Sequence, residues 1–419
     1  MSFQPPSKSL TTRDYIFIAV ITTAFLAVSV GLVYANLSLP AGGGEFLRHW
    51  FGARAYLFER IDPYTTYAPE NVQALVYGES ASAGDEPYIL DTPFHLLLLY
   101  FPFALLPDPM LARAIYTMVL EWALFALALL SLRLTEWSAP RWFAVLFLLF
   151  CLLNFYSFQA LMDATPALLL GLIFAGILLA LQTEADELAG ALAVACAYYW
   201  EAGFPFLFLM AWYCYRTHRV RVLAGFAMFA FILFAVSFLL YPGWIIPAMR
   251  AGMNNFRAEY GYSIFTVFHQ LLPASGSLPA WALMLAFVVL LGYEWNASLN
   301  ADSRRLYWTA CLTLAATPLL GFRTGLENLA LLILPLALIF AVVYDRWSRI
   351  GAVLILFLTT LLFAVPWAVY LYLPSQYQNL TGEILYLFLP VFTVVGLYWI
   401  RWWAIRPPRV WADTISKRP

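Results

Sequence analysis

Glu45, Arg48, His49 and Arg54 fall close together in GGGEFLRHWFGARAYLFERIDPY, residues 42 to 64. A carboxylate can take a proton from an attacking hydroxyl, and guanidinium groups can hold an anion. If a helix begins near Gly44, then Glu45, Arg48, His49, Gly52 and Tyr56 share one stripe. Phe46, Trp50, Ala53 and Leu57 form a neighbouring apolar stripe. The apolar stripe is expected to rest on a membrane domain, which leaves the polar one over a cavity. The simpler role for Glu45 is electrostatic, since an acid at a helix N-terminus is favoured by the helix dipole. His49 is either a packed interfacial histidine or a ligand contact. Arg54 either binds an anion or pairs with loop acids. Asp91, before Thr92-Pro93, either starts the next helix or stands at the cavity mouth.

Almost everything else in the chain reads as membrane helix. Of 419 residues, 63% are apolar and 11% charged, and the mean hydropathy is +0.77. A soluble domain does not carry that balance. A run of about 20 apolar residues crosses a bilayer, and a helix satisfies its own backbone there. The expected fold is an all-α polytopic membrane protein, with 1–419 as one integral domain. The candidate spans, about 12 transmembrane helices, are 13–35, 93–107, 109–133, 141–158, 163–182, 187–213, 221–241, 278–297, 304–321, 326–344, 348–372 and 384–403. The second is short, and the sixth contains Gly203 and Pro205 and is a candidate for breaking in two. The net charge of -1 implies no nucleic-acid partner. Cys151, Cys196, Cys214 and Cys311 lack metal-ligand spacing and read as small hydrophobes.

Basic residues set the expected orientation. Lys8 and Arg13, Arg216 with Arg219 and Arg221, Arg304 with Arg305, Arg346 with Arg349, and the 404–419 tail all fall on one side. That side is taken as cytoplasmic, with both termini in it. Arg133 and Arg141 fall on the opposite side in this scheme. Two large extracytoplasmic loops follow, 36–92 and 242–277. No internal repeat of the transporter kind is visible.

Other residues carry two readings each. Arg323 and Glu327, four apart, either neutralise one another or hold a ligand. Arg250, Arg257, Tyr260, Tyr262 and Phe265 in the second loop are weaker ligand contacts. Glu121 and Glu201 lie in apolar segments, where an acid is either functional or neutral and hydrogen-bonded. Asp163, before Thr165-Pro166, reads as a helix cap, and Asp62 as a turn residue.

Four stretches carry a resemblance. They are EFLRHWFGARAYLFERIDPY, DTPFHLLLLYFPFALLPDP, NFYSFQALMDATPALLLGLIFAGILLALQ with LAGALAVACAYYWEAGFPFLFL, and TPLLGFRTGLENLALLILPLAL. Together they resemble the GT-C superfamily of membrane glycosyltransferases, and within it family eighty-seven, the polyprenol-phosphate-mannose-dependent mannosyltransferases. The resemblance implies inverting transfer of a hexose such as mannose from a polyprenyl-phosphate donor to a lipid or glycan acceptor. The transfer would occur at the outer face of the plasma (inner) membrane. Glu45 would be the base. Arg48, His49, Arg54, Asp91, Glu201, Arg323 and Glu327 would contact substrate. No cofactor is implied, and a divalent metal is not required, because polyprenyl phosphate is already a good leaving group. Two departures stand out: Glu45 replaces the usual Asp, and Glu201 the usual Lys. They leave open a second reading, a catalytically degenerate relative acting as an accessory or structural subunit of a membrane complex.

Overall fold

The computed structural model describes residues 12–39, 42–82, 85–197, 199–257, 261–273, 275, 277–373 and 378–406. Lys8, Tyr260 and the tail from 407 onward lie outside the described residues. The described chain is helical, and its one β-type contact is an isolated bridge between Tyr262 and Thr324.

Helix α1, Thr12–Leu37, is followed by α2, Gly44–Arg54, which continues as a π-turn over Ala55–Glu59. Next come α3, Tyr67–Val76, and the short pieces α4, Phe94–Leu97, and α5, Phe101–Ala104. The bundle then runs through α6, Pro109–Leu134, α7, Arg141–Leu153, α8, Phe155–Met162, α9, Ala167–Gln182, α10, Asp186–Cys196, α11, Trp200–Arg216, and α12, Val220–Leu240. A second loop region holds α13, Ile245–Arg257, and α14, Ile264–Leu271. It ends in α15, Ser277–Ser298, α16, Ser303–Ala316, α17, Ile333–Tyr372, and α18, Gln378–Ala404. A 3₁₀ segment, Leu326–Leu332, leads into α17, which breaks at Ser348 (φ 46°, ψ -108°).

Among the described residues, six stretches are long and apolar enough to cross a membrane. They are Asp14–Leu37, Pro109–Leu134, Val220–Leu240, Ser277–Ser298, Leu326–Tyr372 and Leu380–Ala404. A bent pair, α7 with α8, meets the same test across a 47° break. The chain is thus an all-α protein built of membrane-spanning helices. The outward surface of α1 fits this: Phe17, Val20, Ile21 and Val30 are all exposed.

Contacts between distant residues sort the helix ends into two groups, correct the expected path in two places and decide between its alternatives in a third. Arg113, in the first turns of α6, donates to the carbonyls of Asn36, Leu39 and Gly42. α6 therefore starts at the end where α1 finishes, and 93–107 does not cross between them. Its pieces pack on α2, where Trp50 donates its indole N–H to the Phe103 carbonyl at 3.0 Å. Pro102 and Pro107 break what hydropathy reads as one run. Second, 187–213 is a hairpin. Arg219 pairs with Asp186 at one end, while Tyr199 meets Glu45 at the other. The chain folds back closely because Gly203 has no side chain; a Cβ there would lie 2.0 Å from the Cys196 carbonyl oxygen. Third, Arg304 pairs with Glu136 at 3.0 Å, and Ser138 hydrogen-bonds Asp345. The 133–141 turn thus shares the end of Arg304 and Arg349, and the exception at Arg133 and Arg141 disappears.

That arginine-rich end is clamped by a buried carboxylate. Glu294 of α15 receives Arg401 of α18 through two bonds of 3.0 and 2.9 Å, and Arg305 of α16 at 3.4 Å. Arg401 also lies over the Trp308 ring. At mid-bundle, Glu121 accepts from Asn36 of α1 at 3.3 Å, so this intramembrane acid is hydrogen-bonded to a neighbouring helix.

Candidate functional site

The opposite end gathers the described residues of 38–108, the 163–166 turn, Tyr199, α13, α14 and the 321–327 turn. α2 anchors it. Gly43 stands before the helix with φ 78°, a left-handed backbone glycine adopts without cost. A Cβ at Gly43 would also strike the Arg113 side chain at 2.7 Å. The chain therefore turns tightly into α2 and delivers Glu45 in the first turn. The apolar stripe is buried: Phe46 stacks on Tyr116 of α6 at 4.6 Å, and Phe46, Trp50 and Ala53 are covered.

On the polar stripe, Glu45 Oε1 accepts from Arg48 at 2.6 Å and from the Tyr199 hydroxyl at 2.9 Å. Arg48 also donates to the Ile89 carbonyl at 2.9 Å and lies 3.6 Å from Asp91. Its Nε is buried without a partner. Burial opposes the Arg48 charge, but Glu45, Asp91 and Glu86 outweigh it and hold the guanidinium protonated well above its ordinary value. Asp91 in turn accepts from Asn255 of α13 at 2.8 Å. Asp91 is thus part of the site rather than only a helix start.

His49 is turned into the protein and buried. Its Nδ1 is 2.7 Å from the Glu45 backbone oxygen, and its Nε2 is 2.6 Å from the Thr92 hydroxyl. A carbonyl can only accept, so Nδ1 carries the proton and Nε2 accepts from Thr92. The ring stacks on Tyr100 at 4.3 Å. Burial, with Arg48 second, lowers its pKa to about 3. His49 is therefore a neutral fastener between α2 and the Asp91–Thr92 loop, which corrects its expected contact with substrate. Arg54 is also corrected. It points away from Glu45, donates to the Ala104 carbonyl at 3.2 Å and covers the Trp50 and Phe58 rings.

Two residues enter the site that the sequence reading did not assign to it. Tyr199 lay hidden as one aromatic among many in an apolar run. Asp163 was read as a cap, but the Thr165 hydroxyl accepts from the Ala167 amide instead. Ala164, with φ 48°, turns the chain so that this segment lies against Gly43. Asp163 keeps solvent contact, yet its pKa is raised to about 6, by burial first and by the Glu45 charge second. Asp163 is thus a partly exposed group whose charge is disfavoured by the surrounding protein and by Glu45.

Glu201 and Glu327 add two further carboxylates near Glu45. Glu201 lies within electrostatic reach of Asp91, Arg48 and Glu45, and Glu327 of Asp163, Glu86 and Glu45. Glu201 also lines a narrow crevice with Thr317, Thr324 and Asn328, where the Asn328 carbonyl oxygen is buried without a partner. Arg323 sits in the adjacent turn, which the Tyr262–Thr324 backbone pair ties to the second loop. Asp62 makes the expected turn, accepting from the Tyr64 amide at 3.0 Å. Among the described residues no three His, Cys, Asp or Glu side chains are grouped to hold a metal ion.

The arrangement combines a carboxylate fixed by two donors, a second carboxylate of raised pKa within its electrostatic reach, and a cation with one unused N–H. It can accept a proton and hold one negative group. The chain matches no family model, no curated protein and no solved structure. The chemical reading therefore stands on the geometry.

Proposed function

We propose that the chain is an integral-membrane glycosyltransferase of the GT-C kind, using a polyprenyl-phosphate sugar as donor and a lipid or glycan as acceptor. The observation that carries this reading is Glu45. It is a carboxylate held by Arg48 and Tyr199 at the head of a non-spanning helix, with its side chain still partly exposed. In the proposed step the acceptor oxygen forms a bond to sugar C1 as its proton passes to Glu45. The bond from C1 to the phosphate oxygen breaks, and polyprenyl phosphate leaves with the electron pair. The unused Nε of Arg48 offers a donor for that phosphate. Asp163, with its pKa near 6, supplies a second proton-accepting group beside Glu45.

Arginine asymmetry supports the orientation. With Arg133, Arg216, Arg304 and Arg349 on the cytoplasmic side, both ends of the described chain are cytoplasmic and the site faces outward across the plasma membrane. Counting α10 and α11 separately, α7 with α8 once, and α17 as two halves gives twelve crossings.

A second reading is a non-catalytic relative serving a membrane complex. Its support is the acidic surroundings of Arg48: Glu45, Asp91 and Glu86 all compete with a phosphate for that guanidinium. Transfer from labelled polyprenyl-phosphate sugars by purified, reconstituted protein separates the two. The enzyme transfers label and Glu45→Gln does not; a scaffold transfers none from any donor.

A further inference from the structure

Helix α13 has three faces. Ala248, Ala251 and Asn255 point toward the protein, the two alanines being buried. Arg250, Asn254 and Arg257 form a polar, exposed face. Ile246, Met249, Met253 and Phe256 form a third, at helical spacing, and are 69%, 64%, 57% and 71% exposed. An apolar stripe this open, rimmed by arginines, is the pattern of a helix lying in a membrane interface. The neighbouring surface says what covers it. α13 follows directly on α12, a candidate span whose last residues, Leu239 and Leu240, are themselves exposed. Beyond α14 the next candidate span, α15, opens with exposed Leu278 and Trp281. The stripe thus lies in sequence between two exposed apolar span ends of the kind lipid covers, and the arginines lie where phosphate headgroups would be.

We propose that α13 docks its Ile246–Phe256 stripe into the bilayer surface and, by doing so, holds the Asp91 loop in place. The link is short. Asn255, on the inward face, donates to Asp91 at 2.8 Å, and Asp91 lies beside Arg48. One helix, 13 residues long, has lipid on one side and the candidate site on the other. This inference does not depend on the chemistry assigned to Glu45.

The test uses the full chain in lipid nanodiscs, one copy per disc. The four native cysteines are buried, so a nitroxide label reports on an introduced cysteine alone. Labels at Met253→Cys and Asn254→Cys are compared for collision with oxygen, which concentrates in lipid, and with a water-soluble nickel chelate. The expected result is preferential oxygen collision at 253 and preferential chelate collision at 254. Chelate preference at both positions places α13 in water and overturns the docking. Shielding of 253 from both reagents means that protein covers the stripe, and overturns it equally. The lever is read separately by amide hydrogen exchange over residues 86–92. In the Met249→Glu, Met253→Glu double variant, exchange there should rise severalfold while the α6 core stays protected. Unchanged exchange at 86–92, with a Phe256→Cys label in the same double variant showing chelate preference and so α13 released, overturns the coupling.

Discussion

Replacing Asp163 with Asn should change how stability depends on pH, and the sign is fixed by the structure. The Asp163 carboxyl lies at about 6 in the folded protein against an ordinary 3.8. The folded state therefore binds this proton more tightly than the unfolded chain does. The resulting stabilisation is fully present below pH 3.8 and is lost as pH rises through 6. About two pH units at ~1.4 kcal/mol each would set an upper bound of about 3 kcal/mol. Asp163 keeps solvent contact, so screening reduces the expected loss to about 1 kcal/mol. The assay is unfolding in mixed micelles by a denaturing detergent, followed from pH 4 to pH 7.5 for wild type and Asp163→Asn. The two should be similar near pH 4, and the variant should be more stable by about 1 kcal/mol at pH 7.5. In Glu45→Gln the wild-type loss should shrink but persist, because burial is the larger cause of the shift. Parallel pH curves for wild type and Asp163→Asn, or a wild type that gains on the variant as pH rises, would refute the reasoning.

Three other outcomes follow from the contacts. His49→Ala removes two buried hydrogen bonds and a stacked ring, and should cost about 2–4 kcal/mol in the same unfolding assay. Wild-type His49 should stay neutral in an NMR titration down to pH 5, since its pKa is about 3. Glu294→Ala strands Arg401 and Arg305 and should cost about 3–5 kcal/mol, part of it recovered when Arg401→Leu is added. Cysteines placed at Glu136 and Arg304 should react with an impermeant thiol reagent from the same membrane face, and a cysteine at Glu70 from the other.

The helical and membrane character of the chain was legible because it depends on composition and run length. The amphipathic reading of α2 was legible too, since its stripe of Phe46, Trp50 and Ala53 repeats at helical spacing. What hydropathy cannot register is where an apolar run turns back. The run 93–107 looks like a span until Arg113 is seen to bond the chain leaving α1. The run 187–213 carries a hint of a break at Gly203 and Pro205, but the fold-back is decided only where Gly203 lies against the Cys196 carbonyl. The path expected between α1 and α6 was therefore wrong. Only the misplaced Arg133 and Arg141 signalled the error. In the site, Glu45, Arg48 and Asp91 come together because α2 and its following loop are local in sequence. Tyr199 and Asp163 were missed because they arrive from turns more than a hundred residues away, and a lone Tyr or an Asp just before a helix start has an ordinary structural role by default.

The central claim is that Glu45 takes the acceptor's proton. The direct measurement is the single-turnover rate of sugar transfer from a polyprenyl-phosphate donor for wild type and Glu45→Gln, with donor binding measured alongside. Loss of a general base is expected to slow transfer by about a hundred- to ten-thousand-fold while donor affinity changes little. Transfer by Glu45→Gln at close to the wild-type rate would contradict the assignment.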